Sequence, residues 1–238
     1  MMALGLTSSW AQEVSNKQIG LGTGLSFYAE KNELQSQLTH TDSSAPLQLF
    51  FRFNGQKDRH HIQFQYSSFD LKSQSSGYVT HKQISYLQYA YHRKFTSVNN
   101  KYNFFGGMVV NSGGARRSVT GNINAAGNDS ADEFNSSLSP SFLAETALGK
   151  GILTIQSWVS LLTCTVQTGY AESLPYQTNW MGINTYTKIG SRISYTRYVS
   201  HRFDLRGDYQ FEYCKSVKYE TVTTLNHQVI LSLAYKIY

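Results

Sequence analysis

Apolar and polar residues alternate along most of this chain with a period of two. In an early segment Ile19, Leu21 and Leu25 share one parity, and the other parity holds only glutamine, glycine and serine. The clearest segment runs from Phe203 to Tyr213, where aromatic and aliphatic residues alternate with charged residues and glutamine. Successive side chains of a strand point to opposite sides, so this period predicts β-strands with one apolar and one polar face.

Ten such segments can be counted. They lie near residues 18–27, 47–54, 61–67, 87–92, 102–111, 141–148, 153–161, 183–197, 203–213 and 228–237. The alternation is weak in the fifth segment, because bulky apolar residues occupy both parities. It is weak in the sixth segment because many of its residues are small. We therefore predict an all-β chain of about ten strands, with eight and twelve left open as alternatives.

The predicted connections alternate in length. The short ones lie near 55–58, 96–100, 149–151 and 199–202, and the long ones at 29–45, 72–80, 112–138, 169–181 and 215–223. This alternation of short and long connections is typical of transmembrane barrels, which have tight periplasmic turns and longer outer loops. An even number of strands leaves both chain ends on one side, which predicts that both termini are periplasmic.

Alternation alone does not say which face of a barrel is apolar. Ten rows of leucine, phenylalanine and tyrosine are too bulky for a ten-strand lumen, whereas outside they would form the band, about 25 Å tall, that lipid requires. Aromatic residues also gather at two levels, with Phe27 and Tyr66 at one and Phe203 and Tyr235 at the other, as in interfacial girdles. We predict a closed antiparallel transmembrane barrel over residues 17–238, a sheet that leaves no unpaired backbone in hydrocarbon.

Composition supports strands and argues against other classes. The chain has 17 Tyr and 13 Phe but only 3 Pro, a mixture that suits a pleated sheet. The net charge is +6, but the basic residues are dispersed, so no nucleic-acid partner is predicted. Cys164 and Cys214 are too few for a disulfide framework. Both are predicted to be free, with inward parity.

Residues 1–11 are interpreted as the remnant of a signal peptide. Met1 to Leu6 form a short apolar stretch, and Ser9-Trp10-Ala11 is a small-x-small cleavage pattern. The basic segment that normally precedes such a stretch is missing, which leaves the true start codon open. Export from the cytoplasm is predicted.

These features together resemble Gram-negative outer-membrane barrels. The last strand, Leu231-Ser232-Leu233-Ala234-Tyr235-Lys236-Ile237-Tyr238, ends in an aromatic residue, which is similar to the signal that the barrel-assembly machinery reads in that class. The segment Asn100-Lys101-Tyr102-Asn103-Phe104-Phe105-Gly106-Gly107 resembles such proteins of the Bacteroidota. The resemblance covers nearly the whole chain as a pattern and points to no single named family. It implies location in the outer membrane, contact with its lipids and assembly by that machinery.

Charged residues of inward parity are the first candidate site. They are Arg52, Glu145, Lys188, Arg192, Asp204, Arg206, Asp208 and Glu212. Buried charges are tolerated when they are paired, so we predict a largely filled lumen held by ion pairs. A hairpin tip at Ser200 would place Arg192 opposite Asp208 and Lys188 opposite Glu212. A selective channel lining is the alternative, although barrels of this size seldom leave a wide pore.

Ser68 and His81 are a weaker, catalytic candidate. They share outward parity on adjacent strands near the outer end of a hairpin. A serine beside a histidine base can act as a nucleophile, and the pair resembles the arrangement in the outer-membrane phospholipase. Symmetric closure would instead put Ser68 near Ser85, and no orienting third group is evident. No metal site or cofactor is predicted, since the adjacent His60 and His61 point to opposite faces.

The sequence therefore favours a non-enzymatic outer-membrane barrel. Its long loops, chiefly 112–138, would contact a protein partner or shape the cell surface. A lipid-modifying outer-membrane enzyme and a narrow solute pore are the alternatives.

Overall fold

Thirteen β-strands make up the described part of the protein in a computed structural model. It describes residues 16–32, 38–72, 78–99, 101–121, 130–167, 177–217 and 221–237. The strands are β1 (Asn16–Asn32), β2 (Thr39–Ser44), β3 (Leu47–Asn54), β4 (Asp58–Leu71), β5 (Tyr78–Val98), β6 (Tyr102–Gly121), β7 (Ser130–Leu148), β8 (Gly151–Val159), β9 (Leu162–Gln167), β10 (Gln177–Gly182), β11 (Tyr186–Tyr198), β12 (Phe203–Ser216) and β13 (Val222–Ile237). The described ranges contain no helix of the length and apolarity that a membrane crossing requires. The predicted signal remnant, residues 1–11, lies outside them.

The strands form one antiparallel sheet that closes on itself, because β1 pairs with β13 on one side and with β3 on the other. Three pairs of consecutive strands each form a single crossing of the barrel, because both members pair in succession with the same neighbour. β2 and β3 pair with β1, and β8 and β9 pair with β7. In the same way β10 pairs with β9 and β11 pairs with β8. Thirteen strands less these three joins give ten crossings. The predicted all-β, ten-stranded closed barrel is confirmed.

The register sets the stagger of the barrel. A row of paired residues that starts at Asn16 passes once around the sheet and returns to β1 at Tyr28. The row runs through Asn16, Asn54, Arg59, His92, Gly107, Ser141, Trp158, Gly190, Glu212, Asn226 and Tyr28. The stagger is therefore 28 − 16 = 12 residues. Such a stagger goes with strands tilted by roughly 35–45° to the barrel axis.

The two ends of the barrel differ in their connections. At the turn end lie the start of β1, the end of β13 and the tight connections after β3, β5, β7 and β11. At the loop end lie the connections after β1, β4, β6, β9 and β12. The tightest hairpin joins Leu148 to Gly151, and its Gly149 has a φ of +57°. Glycine suits this position, since a type II′ hairpin turn needs positive φ at its first central residue.

Several strands extend further toward the loop end than the alternation predicts. The segment 112–138 was predicted to be a loop, but β6 continues to Gly121 and β7 begins at Ser130. Likewise β2 lies inside the predicted loop 29–45, and most of β10 inside 169–181. Near the loop end both faces of the sheet carry polar residues, so hydropathy no longer marks the strands.

The apolar parity faces outward, as predicted. On β13 Leu231 is 59% exposed and is flanked by the exposed Val229 and Leu233, whereas Gln228 and Ser232 are buried in the lumen. This outward-facing apolar band continues around the barrel through Leu21, Leu49, Phe64, Leu87, Val110, Leu138, Ile155, Ile193 and Tyr209. A continuous apolar surface of this extent is typical of contact with lipid.

The two cysteines point in different directions, which corrects the prediction that both face inward. Both are free, and Cys214 lines the lumen. Cys164 faces outward, because its neighbours Thr163 and Thr165 are buried. From Ala144 back to Ser136, β7 advances eight residues while its paired chain advances nine, from 155 to 164. That extra residue is a bulge, and it reverses the inward and outward parity of β9.

Candidate functional site

A layer of buried polar side chains crosses the lumen near mid-height. It consists of Gln63, Gln65, Gln88, Arg192, Gln210 and Gln228, and we call it the mid-lumen layer. The Arg192 guanidinium donates to Gln88 Oε1 at 3.0 Å and to Gln210 Oε1 at 2.7 Å. It also lies 3.1 Å from His61 Nδ1. These partners stand on β5, β12 and β4, so one arginine ties four strands together across the barrel.

Amide side chains complete the mid-lumen layer. Gln65 Nε2 donates to Gln228 Oε1 at 2.7 Å, and Gln63 Nε2 donates to Gln65 Oε1 at 3.2 Å. The Tyr86 hydroxyl accepts from Gln63 at 3.1 Å and from Gln210 at 2.8 Å. Hydrogen bonds between opposite walls therefore fill the cross-section of the barrel.

A buried ion pair lies next to this layer on the turn side. Arg206 is 1% exposed, and its Nε donates to both carboxylate oxygens of Asp208 at 2.7 Å. Ser194 Oγ donates to Asp208 at 2.5 Å and accepts from Arg206 Nη2 at 2.7 Å. The ring of Phe50 packs over the guanidinium, at 5.6 Å from its Cζ. Phe50 fits there because Gly20 has no Cβ, which would lie 2.3 Å from the ring.

The β11–β12 hairpin is shifted by two residues from the predicted register. Arg192 lies opposite Gln210, and Asp208 lies opposite Ser194, so the predicted Arg192–Asp208 pairing is wrong. Tyr198 pairs with Asp204, so five residues, 199–203, lie between the last pair of the hairpin. Its centre is therefore one residue beyond Ser200.

Lys188 and Glu212 meet in spite of this shift. They are diagonal rather than opposite, since Lys188 pairs with Cys214 on the neighbouring strand. Their side chains nevertheless approach to 3.5 Å. Long side chains can reach a diagonal neighbour in a sheet, so the two residues make the predicted contact although the predicted register is wrong.

Two other predicted lumen charges, Glu145 and Asp204, find partners outside the predicted set. Glu145 pairs with Arg59 at 3.2 Å, and Asp204 pairs with Lys236 at 2.8 Å. Within the described ranges, Arg52 makes no hydrogen bond or ion pair through its side chain. Arg59 was missed because it adjoins a turn in the sequence. Lys236 has inward parity and could have been found from the alternation.

A cavity of about 170 Å³ lies on the loop side of the mid-lumen layer, and we call it the loop-end cavity. Its floor includes Gln65, Tyr86 and Gln228, which link it to that layer. Its other uncharged lining includes Tyr28, Phe69, Ile84, Met181 and Tyr186. Its charged lining comprises Lys82, Arg117, Glu133, Lys188 and Glu212. The site thus combines aromatic and apolar walls with charges of both signs.

Most charges of the loop-end cavity are already paired. Lys82 and Arg117 both contact the buried carboxylate of Glu30, and Lys188 pairs with Glu212. Glu133 differs, because its side chain has no hydrogen bond or ion pair with any residue that the structure describes. It is half-buried. Sequence reasoning did not place Glu133 in the lumen, since it assigned this stretch to a loop.

Ser68 and His81 are not brought together. Ser68 lies opposite Gln83, and His81 lies opposite Asp70. His81 Nδ1 is 2.5 Å from Asp70 Oδ1, on the exposed outer face. No side-chain hydrogen bond joins Ser68 to another described residue. Among the described residues, no group of three histidine, cysteine or acidic side chains is placed to hold a metal ion.

A closed antiparallel barrel with an apolar outer band and a polar, filled interior defines a transmembrane β-barrel. The structure is similar to the outer membrane protease OmpT from Escherichia coli, with a TM-score of 0.59 and 6% identity over 93% of this chain and 97% of that one. It is also similar to the translocator domain of the autotransporter NalP from Neisseria meningitidis, with a TM-score of 0.52 and 8% identity over 92% of this chain and 88% of that one.

The likeness to these two structures concerns the fold alone, which is that of outer-membrane β-barrels. The sequence matches no family model and no curated protein.

Proposed function

We propose that this protein is a non-enzymatic, non-conducting barrel of the outer membrane that binds a small ligand at its loop end. The observation that carries the proposal is the loop-end cavity, which stands on the mid-lumen layer and contains one carboxylate, Glu133, without a partner among the described residues. The loop end faces the outside of the cell and both termini face the periplasm. A protein partner contacts the long connections around the cavity.

The chemistry of the lining favours a ligand that carries an amine. Lys82 and Lys188 already have carboxylate partners, which leaves Glu133 to receive a positive charge. The rings of Tyr28 and Tyr186 line the same cavity, and aromatic faces attract cations. Phe69 and Met181 supply apolar surface for a hydrocarbon part. A small amphipathic amine satisfies all three features.

The mid-lumen layer supports a binding barrel over a pore. A solute would have to displace the hydrogen bonds between Arg192, Gln88 and Gln210, and buried polar groups that lose their partners cost free energy. The lipid-modifying alternative is less well supported, because Ser68 has no contact with His81 in the described structure.

Replacing Glu133 with glutamine should weaken amine binding without changing the fold. Phenethylammonium and its neutral analogue 2-phenylethanol would be titrated by calorimetry into the detergent-folded protein. We expect tighter binding of the amine, and a loss of about tenfold or more in E133Q, because a hydrogen bond to a charged group contributes roughly 1.5–3 kcal/mol. The alcohol should bind both forms alike.

Asp132→Asn is the matched control for this experiment. Asp132 adjoins Glu133 in sequence but is exposed on the outer face, where it lies 3.8 Å from Arg116. D132N should bind the amine like the original protein. Equal affinity for amine and alcohol, equal losses in E133Q and D132N, or no binding of either probe would overturn the proposal.

A further inference from the structure

A second, smaller cavity lies on the turn side of the mid-lumen layer, and we call it the turn-end cavity. Its volume is about 20 Å³. A water-sized particle needs roughly 10–15 Å³ by this measure, so the space suits one water molecule or one monatomic ion. Its ionisable lining comprises Arg52, Arg59, His60, His61, His92, Glu145, Arg192 and Arg206. Four guanidinium groups and a single carboxylate therefore face the same small space.

The positive charges of the turn-end cavity exceed their carboxylate partners. Arg59 pairs with Glu145, and Arg206 pairs with Asp208 just outside the lining. Arg192 is 2% exposed, and the acceptors of its hydrogen bonds, Gln88, Gln210 and His61, are uncharged. The side chain of Arg52 has no hydrogen bond or ion pair with a described residue. Two guanidinium groups thus remain without a carboxylate, and an unpaired charge in a lumen costs several kcal/mol.

The groups left without partners here are hydrogen-bond donors. Arg206 Nη1 and His61 Nε2 are both buried, with no hydrogen-bond partner. A guanidinium can only donate, so His61 Nδ1 accepts from Arg192 and the ring proton must lie on Nε2. Arg52 pairs with His61 across β3 and β4, so the two side chains are neighbours on the inward face, and both line the cavity. The cavity therefore presents donors on Arg52, Arg206 and His61 that no described residue accepts.

We propose that the turn-end cavity binds one small inorganic anion, such as chloride, between Arg52, Arg206 and His61. One anion accepts hydrogen bonds from all three side chains and offsets part of the excess positive charge. A tetrahedral oxyanion is too large for the space. The mid-lumen layer separates this site from the loop-end cavity, so the two binding proposals stand or fall independently.

Bromide tests the site directly in the unaltered protein. Crystals grown in sodium bromide should show an anomalous peak in the turn-end cavity, at hydrogen-bond distance from Arg52 and Arg206. The thermal midpoint should also rise by several degrees when gluconate is replaced by chloride at constant ionic strength. Ligands that bind only the folded state stabilise it in proportion to the logarithm of their concentration.

Arg52→Gln should abolish the difference between chloride and gluconate. Arg197→Gln is the control, since Arg197 is exposed on the outer face of β11 and lies outside the cavity lining. R197Q should keep the full chloride effect. An empty cavity in bromide crystals that show surface bromide, equal midpoints in the two salts, or equal losses in R52Q and R197Q would overturn the inference.

Discussion

Replacing Asp208 with alanine should lower the free energy of unfolding by about 3–5 kcal/mol. The substitution removes the carboxylate that accepts three hydrogen bonds from Arg206, a residue that is almost fully buried. It also removes the acceptor of Ser194. The ring of Phe50 covers the guanidinium on one side, and Arg206 is 1% exposed, so little water can hydrate the charge that remains. The cost is that of an uncompensated charge, and it exceeds the cost of one hydrogen bond.

Urea unfolding in lipid vesicles, followed by heat-modifiable gel migration, would measure this loss. Asp132→Ala is the control, because Asp132 is an exposed carboxylate on the outer face, 3.8 Å from Arg116. Such surface pairs contribute about 0–1 kcal/mol. The double variant Arg206→Met with Asp208→Leu should recover most of the stability, since it removes both charges together. A loss below about 1 kcal/mol in D208A would contradict the buried ion pair.

Replacing Leu231 with arginine should cost about 2–4 kcal/mol in a bilayer. Leu231 lies between the exposed Val229 and Leu233 near the middle of the apolar band on β13. A charge at that depth must be dehydrated or must draw water and headgroups toward itself. The urea midpoint of the protein in vesicles measures the effect.

Val199→Arg is the control for depth. Val199 is as exposed as Leu231, at 61%, but it lies in the turn between β11 and β12. Arginine near the membrane interface costs about 0–1 kcal/mol. If the two variants lost the same stability, the band around Leu231 would not be in contact with acyl chains.

The sequence correctly predicted those parts of the strands that lie within the apolar band. From Phe203 to Tyr213 the two faces differ so strongly in polarity that period two defines the strand and its orientation. Leu231 was placed outward by the same pattern, and the structure agrees. The ten crossings followed from counting such segments, because each strand must cross the band once.

Beyond the band the same signal disappears. The loop-end parts of β6 and β7 carry glycine, serine and charged residues on both faces, so they were predicted to be loop. In the structure Gly114 to Ser118 of β6 pair with Phe134 to Ser130 of β7. Parity also fails after an insertion. The bulge before Cys164 reversed its direction, and nothing in the local sequence marks a bulge of one residue.

The candidate sites were harder to predict than the fold. The loop-end and turn-end cavities are each lined by single residues from many strands, so no local sequence motif indicates either cavity. The pairing of Asp208 depended on the exact turn at Ser200, and an error of one residue at the tip moved every partner by two. Inward charges could be named from parity, but their partners are set by diagonal and cross-lumen contacts such as that of Arg59 with Glu145.

Planar-bilayer recording of the folded protein tests most directly whether the mid-lumen layer closes the barrel. Insertion would be verified by heat-modifiable migration of the same preparation. We predict no discrete conductance steps at either polarity, because hydrogen bonds between Arg192, Gln88 and Gln210 span the lumen. Reproducible steps in the unaltered protein that change in size in Arg192→Gln would contradict a closed lumen and favour a pore.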